Sequence, residues 1–339
     1  TVPFEQFPFA RDVKLIGHVL ALMSPWDGPA NLTRLWCVYE IFTAIVNECE
    51  VTVLMPPQDK ASLQDEMCKP DGAPHKIYKV ISAVDVEKAN ATSQDDKRQI
   101  LEAIRNSEGP GASGLNKKVR EYLKTWLVDE LQDEFAKVLR KQGADEQKAA
   151  LCCHVCHLLI DEGRAAEAKE ALTSGEANVA HSTLPHGRIL QERGYLGMKQ
   201  GKDFEASEAA FLKAREIYAA SGNLESLQGA TLCDSFGSLL RKKNDLEGAL
   251  KSFADGFSIC ERNALMKSSI ATTLISNIGF VNQLRGDQPS AWTAYERAKS
   301  IREETGTLET PSGALLLASM ASAKMEENNL EAAEQLFKH

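Results

Sequence analysis

A 42-residue recurrence constrains this chain more than any other feature. Asp203-Phe204, Asp245-Leu246, Asp287-Gln288 and Asn329-Leu330 stand 42 residues apart, each after one helical stretch and before another. The residues downstream keep the same register. Ser207, Ala249, Ala291 and Ala333 follow the junctions by four, Phe211, Phe253, Tyr295 and Phe337 by eight, and Ala214, Gly256 and Ala298 by eleven. Upstream, Gly237, Gly279 and Ala321 hold a small position 12 residues before Ala249, Ala291 and Ala333, and Tyr195 breaks the rule in the first unit. Two antiparallel helices approach closely only where the facing side chains are tiny. Gly237 is therefore expected against Ala249 and Gly279 against Ala291, with the aromatic filling the groove towards the next hairpin. A weaker unit over roughly 145–174 has Cys156 at the small position, Ala168 opposite and Leu172 in the aromatic place.

One such hairpin cannot bury its own apolar face, so neighbouring hairpins must stack to make a core. The order small, Ala, aromatic, small at Gly237, Ala249, Phe253 and Gly256, and again at Gly279, Ala291, Tyr295 and Ala298, resembles the tetratricopeptide repeat. The period exceeds the common one of about 34 and is similar to that of kinesin light chains and related scaffolds. The resemblance implies an α-solenoid over 143–339 whose first helices line a concave groove for an extended peptide or a partner helix. Carried over residue by residue, the groove positions are Glu192, Asp234 and Ser276, then further along the same face Lys199, Arg241 and Gln283, with the Asn277 amide placed to grip a peptide backbone. The alternative is that these are ordinary solvated helix faces.

Residues 1–90 have a different grammar. Val13 to Met23 includes an apolar run that reads as a buried strand ending near Ser24-Pro25; a helix opens near Leu32; Val51 to Met55 reads as a second strand stopped by Pro56-Pro57. Strand, helix and strand of these lengths imply a βαβ unit with a parallel sheet. Leu32 to Glu40, with its Trp36-Cys37-Val38-Tyr39-Glu40 run, resembles part of a TIR domain. That resemblance implies NAD cleavage with Glu40 as the catalytic carboxylate, although the chain starts too late to hold the strand and loop that complete such a pocket. The competing view is that Trp36, Tyr39 and Phe42 anchor the helix while Glu40 faces water. Residues 91–142 read as a helical connector: Ser93 caps a helix, 106–114 is a loop, and Leu115 to Leu139 carries the stripe Val119, Leu123, Trp126, Leu127, Leu131, Phe135 and Val138. Ile77 to Val86 is a candidate further strand.

Composition narrows the function. A net charge of −9 lacks the basic face that nucleic-acid binding needs. No apolar run reaches the length of a membrane span, and no leader segment opens the chain. A cytoplasmic setting with reduced thiols is expected for the eight scattered cysteines, and both termini read as cut from a larger protein. Cys153-His154-Val155-Cys156-His157 spells a c-type haem attachment, and Cys153, Cys156 and His157 share a helical face that suits zinc. That face is also needed for packing by Leu151, Val155, Leu158 and Leu159, so the expectation is packed core, with no metal and no cofactor. The fold expected is mainly α: a solenoid preceded by a small α/β region and a helical connector. The function expected is a non-enzymatic scaffold for a protein or peptide. The alternatives are a TIR-like NAD hydrolase with the repeats as sensor, and a structural subunit of a larger complex.

Overall fold

The computed structural model describes residues 8–69, 80–81, 83–106, 111–201 and 203–337. The chain is mainly α-helical with a small α/β region near its start, and it divides into two compact units, Thr1–Leu158 and Leu159–His339.

The first unit opens with helix α1 (Pro8–Ile16), strand β1 (His18–Leu22), a 3-10 turn at Ala30–Thr33, helix α2 (Leu35–Val46) and strand β2 (Glu50–Leu54). The two strands pair in parallel from His18↔Glu50 to Leu22↔Leu54, with α2 as the crossover, as the βαβ reading expects. Two details differ. Val13 to Ile16 is helix rather than strand. The remaining strand is not buried on both sides either, for Leu20 and Leu22 are 61% and 54% exposed while Ala21 is buried. A short apolar run fits either period, and here the helical one prevails over 13–16.

Helix α3 (Pro57–Met67) follows, then α4 (Gln94–Asn106) and the long α5 (Gly111–Leu139). The Ser93 hydroxyl accepts from the backbone N–H groups of Asp95 and Asp96, the cap read in the sequence. The expected loop over 106–114 is shorter, since α5 already begins at Gly111; residues 107–110 lie outside the described ones. Of the candidate strand Ile77 to Val86, residues 77–79 and 82 lie outside the described ones. The rest is not extended: 80–81 is helical, and the Val84 N–H bonds back to the Ile81 carbonyl in a turn. Asn116 and Arg120 of α5 fix this turn, Asn116 Oδ1 accepting from the Val86 N–H at 2.9 Å and the Arg120 guanidinium donating to the Val84 carbonyl. The stripe of α5 is buried, except that Trp126 is half-buried.

Helix α6 (Asp145–Asp161) contains the boundary between the units. In the second unit come α7 (Ala165–Ala177) and four hairpins: α8 (Leu184–Gln200) with α9 (Phe204–Ala220), α10 (Leu227–Lys242) with α11 (Leu246–Arg262), α12 (Ser269–Leu284) with α13 (Gln288–Glu304), and α14 (Pro311–Glu326) with α15 (Leu330–Phe337). The junction residues that announced the period are N-caps. Asp203, Asp245, Asp287 and Asn329 accept from the backbone N–H groups of Ala206, Gly248, Ser290 and Ala332. Each such cap contributes about 1 kcal/mol to its helix. Successive first helices touch one another, whereas each second helix reaches the next hairpin by way of that hairpin's first helix. The first helices therefore form the tighter layer and the second helices the splayed one.

The small positions work as a steric device, and the aromatic of the same hairpin is a partner that was not expected there. A Cβ on Gly237 would lie 2.7 Å from the Phe253 ring, and one on Gly279 would lie 2.7 Å from the Tyr295 ring and 3.2 Å from the Ala291 carbonyl. The glycine faces the aromatic of its own hairpin, so Phe253 and Tyr295 lie across the crossing rather than beyond it. Ala249, Ala291, Phe253, Tyr295 and Ala298 are fully buried there.

Candidate partner-binding groove

The first hairpin carries one extra residue in its turn, and this resets the groove. Gly194, not residue 195, faces the aromatic Phe211, with an added Cβ 2.6 Å from the ring. Gly194 stands 43 residues before Gly237, and the helix-capping Thr183 stands 43 before Ser226, while Asp203 to Asp245 keeps 42. Glu192 therefore matches Asn277 and Lys199 matches Leu284, one place away from the expected alignment with Asp234 and Arg241. Tyr195 is no longer a break in the pattern: it matches Phe280.

Between α10 and α12 the expected residues converge. Asn277 Nδ2 donates to Asp234 Oδ1 at 2.7 Å. The Arg241 guanidinium lies 5.1 Å from the centre of the Phe280 ring, a cation–π contact. Burial pushes the Asp234 carboxyl up to about 6, against the Asn277 hydrogen bond and the Arg241 charge, which pull it down. Burial lowers Arg241 in turn, against the pull of Asp234. For both groups, loss of water outweighs what the neighbours return. Arg241 Nε is buried without a hydrogen-bond partner. One hairpin earlier, Lys199 lies 5.2 Å over the Tyr195 ring, and Glu192 and Asp234 both bear electrostatically on Tyr195. These residues make one line of carboxylates, cations and aromatic faces along α8, α10 and α12.

Gln283 does not belong to that line, contrary to its expected place. It is 7% exposed; its Oε1 accepts from the Tyr295 hydroxyl at 2.8 Å and its Nε2 donates to Glu326 at 2.7 Å. A polar side chain is buried at little cost when both its ends are bonded, and Gln283 is satisfied within the fold. The Ser276 hydroxyl turns back to the Thr272 carbonyl. Tyr195 and Phe280 are the groove residues that the sequence reading passed over.

No family model matches this chain, and no curated protein does. Among solved structures, the chain is similar to the crystal structure of BtubC (BKLC) from P. vanneervenii. Identity is 15% and the TM-score 0.51, over 64% of this chain and 87% of that one. The fold is a tetratricopeptide-like helical repeat. A likeness at this identity speaks for the fold alone, and it gives the TIR-like reading no support.

Outside the tetratricopeptide-like hairpins, the remaining candidates are placed as follows. Glu40 sits half-buried on α2, its carboxyl raised by burial and lowered by the nearby Arg34. Tyr39 and Phe42 are buried on the same helix, while Trp36 is half-buried, edge-on to Tyr39. On α6, Cys156 is fully buried; Cys153 and His157 are half-buried. His154 Nδ1 lies 2.9 Å from the Met67 carbonyl. Among the described residues no three His, Cys, Asp or Glu side chains come together as a metal site, and none of the eight cysteines forms a disulfide. No described helix is long and apolar enough to cross a membrane.

The Asp234 environment has a measurable consequence. Its carboxyl holds a proton in the folded chain at pH values where the unfolded chain, near its ordinary 3.8, has released it. Stability therefore falls as pH rises from about 4 to about 6 and levels off above. Asp234→Asn should remove that slope: the melting-temperature difference, wild type minus variant, is expected to shrink across this window. A constant difference would mean that Asp234 is solvated.

Proposed function

We propose that the second unit holds a protein or peptide partner along its first helices, and that the chain acts as a scaffold rather than as an enzyme. The observation that carries this reading is the patch of Asp234, Arg241, Asn277 and Phe280. It presents a cation on an aromatic face, beside an amide and a carboxylate. A partner that sets a backbone carbonyl or a carboxylate against the guanidinium makes charge-assisted hydrogen bonds where part of the solvation is already lost. Tyr195 and Lys199 extend the same chemistry one hairpin along. The tighter layer of first helices suits an extended segment or a partner helix, and the fold shared with BtubC is of the repeat type that stacks hairpins into such surfaces. The repeat length leads us to group the chain with kinesin-light-chain-like scaffolds, in a cytoplasmic setting. The reading gives no catalytic role to Glu40.

Arg241→Glu places a second carboxylate beside Asp234 and removes the cation. Partners captured by the wild-type chain and identified by mass spectrometry are expected to be lost from the Arg241→Glu and Lys199→Glu variants, with affinity reduced tenfold or more for any partner remeasured in isolation. Retention of every partner by both variants would remove the groove from consideration.

A further inference from the structure

The last turn of α13 carries a buried cation for which the fold supplies no counter-charge. Arg302 is 4% exposed. Its guanidinium makes no hydrogen bond or ion pair among the described residues, and its Nε is sealed from water. The carboxylates next to it in sequence are engaged elsewhere, Glu303 with Lys299 at 3.7 Å and Glu304 with Lys267 at 3.6 Å. The end carbonyls of α13 do not serve it either: that of Ile301 accepts from Thr305, and that of Arg302 itself accepts from the Thr307 N–H. Burial lowers the pKa of the guanidinium, and no neighbouring charge holds it up. Buried charges are ordinarily paired, because the lost hydration is not otherwise repaid.

The repeat shows that array packing does not need a cation here. Cys260 holds the same place one period earlier and Tyr218 two periods earlier, and both are fully buried. Tyr218 also shows what the place faces. A Cβ on Gly187, in the first turn of α8, would lie 2.8 Å from its ring. The residue in register with Gly187 on α12 is Thr272, again in the first turn and buried. The Lys267–Glu304 pair ties the end of α13 to the start of α12 directly. Register therefore sets Arg302 against the amino-terminal turn of α12. Ser268 caps that turn by accepting from the Ala271 N–H, and the Thr272 hydroxyl turns back to the Ser269 carbonyl. The N–H groups of Ser269 and Ile270 have no acceptor among the described residues. A helix start carries partial positive charge, so the turn and the buried guanidinium repel each other unless an anion stands between them.

We propose that Arg302 and the amino-terminal turn of α12 hold a small inorganic oxyanion, phosphate or sulfate. The ion accepts hydrogen bonds from the terminal nitrogens of the guanidinium and from the free N–H groups of the turn, the two donors best suited to an oxyanion. With so little of Arg302 open to the surface, the site admits an ion and excludes a phosphate monoester. The ion ties the end of α13 to the start of α12 and so stabilises the third hairpin. The groove of the first helices plays no part in this, and neither site needs the other.

The test uses the full 339-residue chain, purified without phosphate or sulfate, and titrates each ion against sodium chloride at constant ionic strength. The melting temperature of the wild-type chain is expected to rise saturably with phosphate and with sulfate, and phosphorus NMR is expected to show saturable broadening of the phosphate signal. Phenyl phosphate should give neither effect. Arg302→Met keeps the length of the stem, removes the charge and should abolish both responses while leaving every exposed cation in place. Arg302→Lys keeps the charge without the fork and should bind about tenfold more weakly. The proposal is overturned if neither ion acts saturably on the wild-type chain, a result that needs no variant to fold. It is also overturned if folded Arg302→Met responds as the wild type does, since the effect would then belong to the surface. Binding of phenyl phosphate as tight as that of phosphate would overturn it as well, because the site would then be open to esters.

Discussion

Replacing Tyr295 by alanine is expected to lower the stability of the second unit by about 3–5 kcal/mol, the range for removing a fully buried aromatic. Tyr295 has no exposed surface, and its ring lies against the Gly279 backbone at the crossing of α12 and α13. Its hydroxyl donates to Gln283, itself buried, so truncation removes ring packing and leaves Gln283 Oε1 without its donor. Tyr295→Phe separates the two contributions: it keeps the ring and should cost only about 1 kcal/mol. Because stacked repeats open locally, native-state hydrogen exchange on α12 and α13 is the sharper measurement. Faster exchange there, with α8 and α9 little changed, is the expected pattern. A loss below about 1 kcal/mol for the alanine variant would mean that the aromatic column does not hold the hairpins together.

The parts of this fold legible in the sequence are those where one physical demand selects one residue type at one spacing. Asp203, Asp245, Asp287 and Asn329 are visible because an N-cap needs a short acceptor side chain at one place in each hairpin. A second series, Ser226, Ser268 and Thr310, caps the first helices at the same period and was equally open to reading. Gly237 and Gly279 are visible because no side chain fits against the ring they face. That the ring also crosses the glycine was not visible: residues 12 and 16 positions away both lie on the facing helix, and Gly279 meets both Ala291 and Tyr295.

The groove was legible in place and less so in detail. A single inserted residue in the turn of the first hairpin shifted Glu192 and Lys199 by one place from the counted register, and period counting has no means of absorbing one residue without an anchor on each side. The anchor was Gly194, hidden because its neighbour Tyr195 occupied the counted position. Gln283 was misread for another reason. Polarity alone suggests solvent, and the hydroxyl of Tyr295 that lets it be buried lies on the other helix of the hairpin. In the first unit, the exposure of Leu20 and Leu22 has no local signature, because the strand pattern is the same whether or not its second face is covered.

Gly237→Leu should destabilise the second hairpin by about 3 kcal/mol, the upper end for overpacking a filled crossing, and it also offers the strictest test of the steric device. The first atom added to Gly237 would meet Phe253 at 2.7 Å, and the ring cannot retreat because it is itself fully buried in the core cluster of the stacked hairpins. Phe253→Ala alone should cost about 3–5 kcal/mol by opening a cavity. Combined, the two changes address the same space: the leucine occupies what the phenylalanine vacated. The double variant should therefore be more stable than the sum of the single losses implies, by about 1–3 kcal/mol, the coupling seen between residues in direct contact. Urea titration of the four proteins gives the cycle. Additive losses would mean that α10 and α11 respond independently, and the explanation of the 42-residue register as a glycine-on-aromatic crossing would not stand.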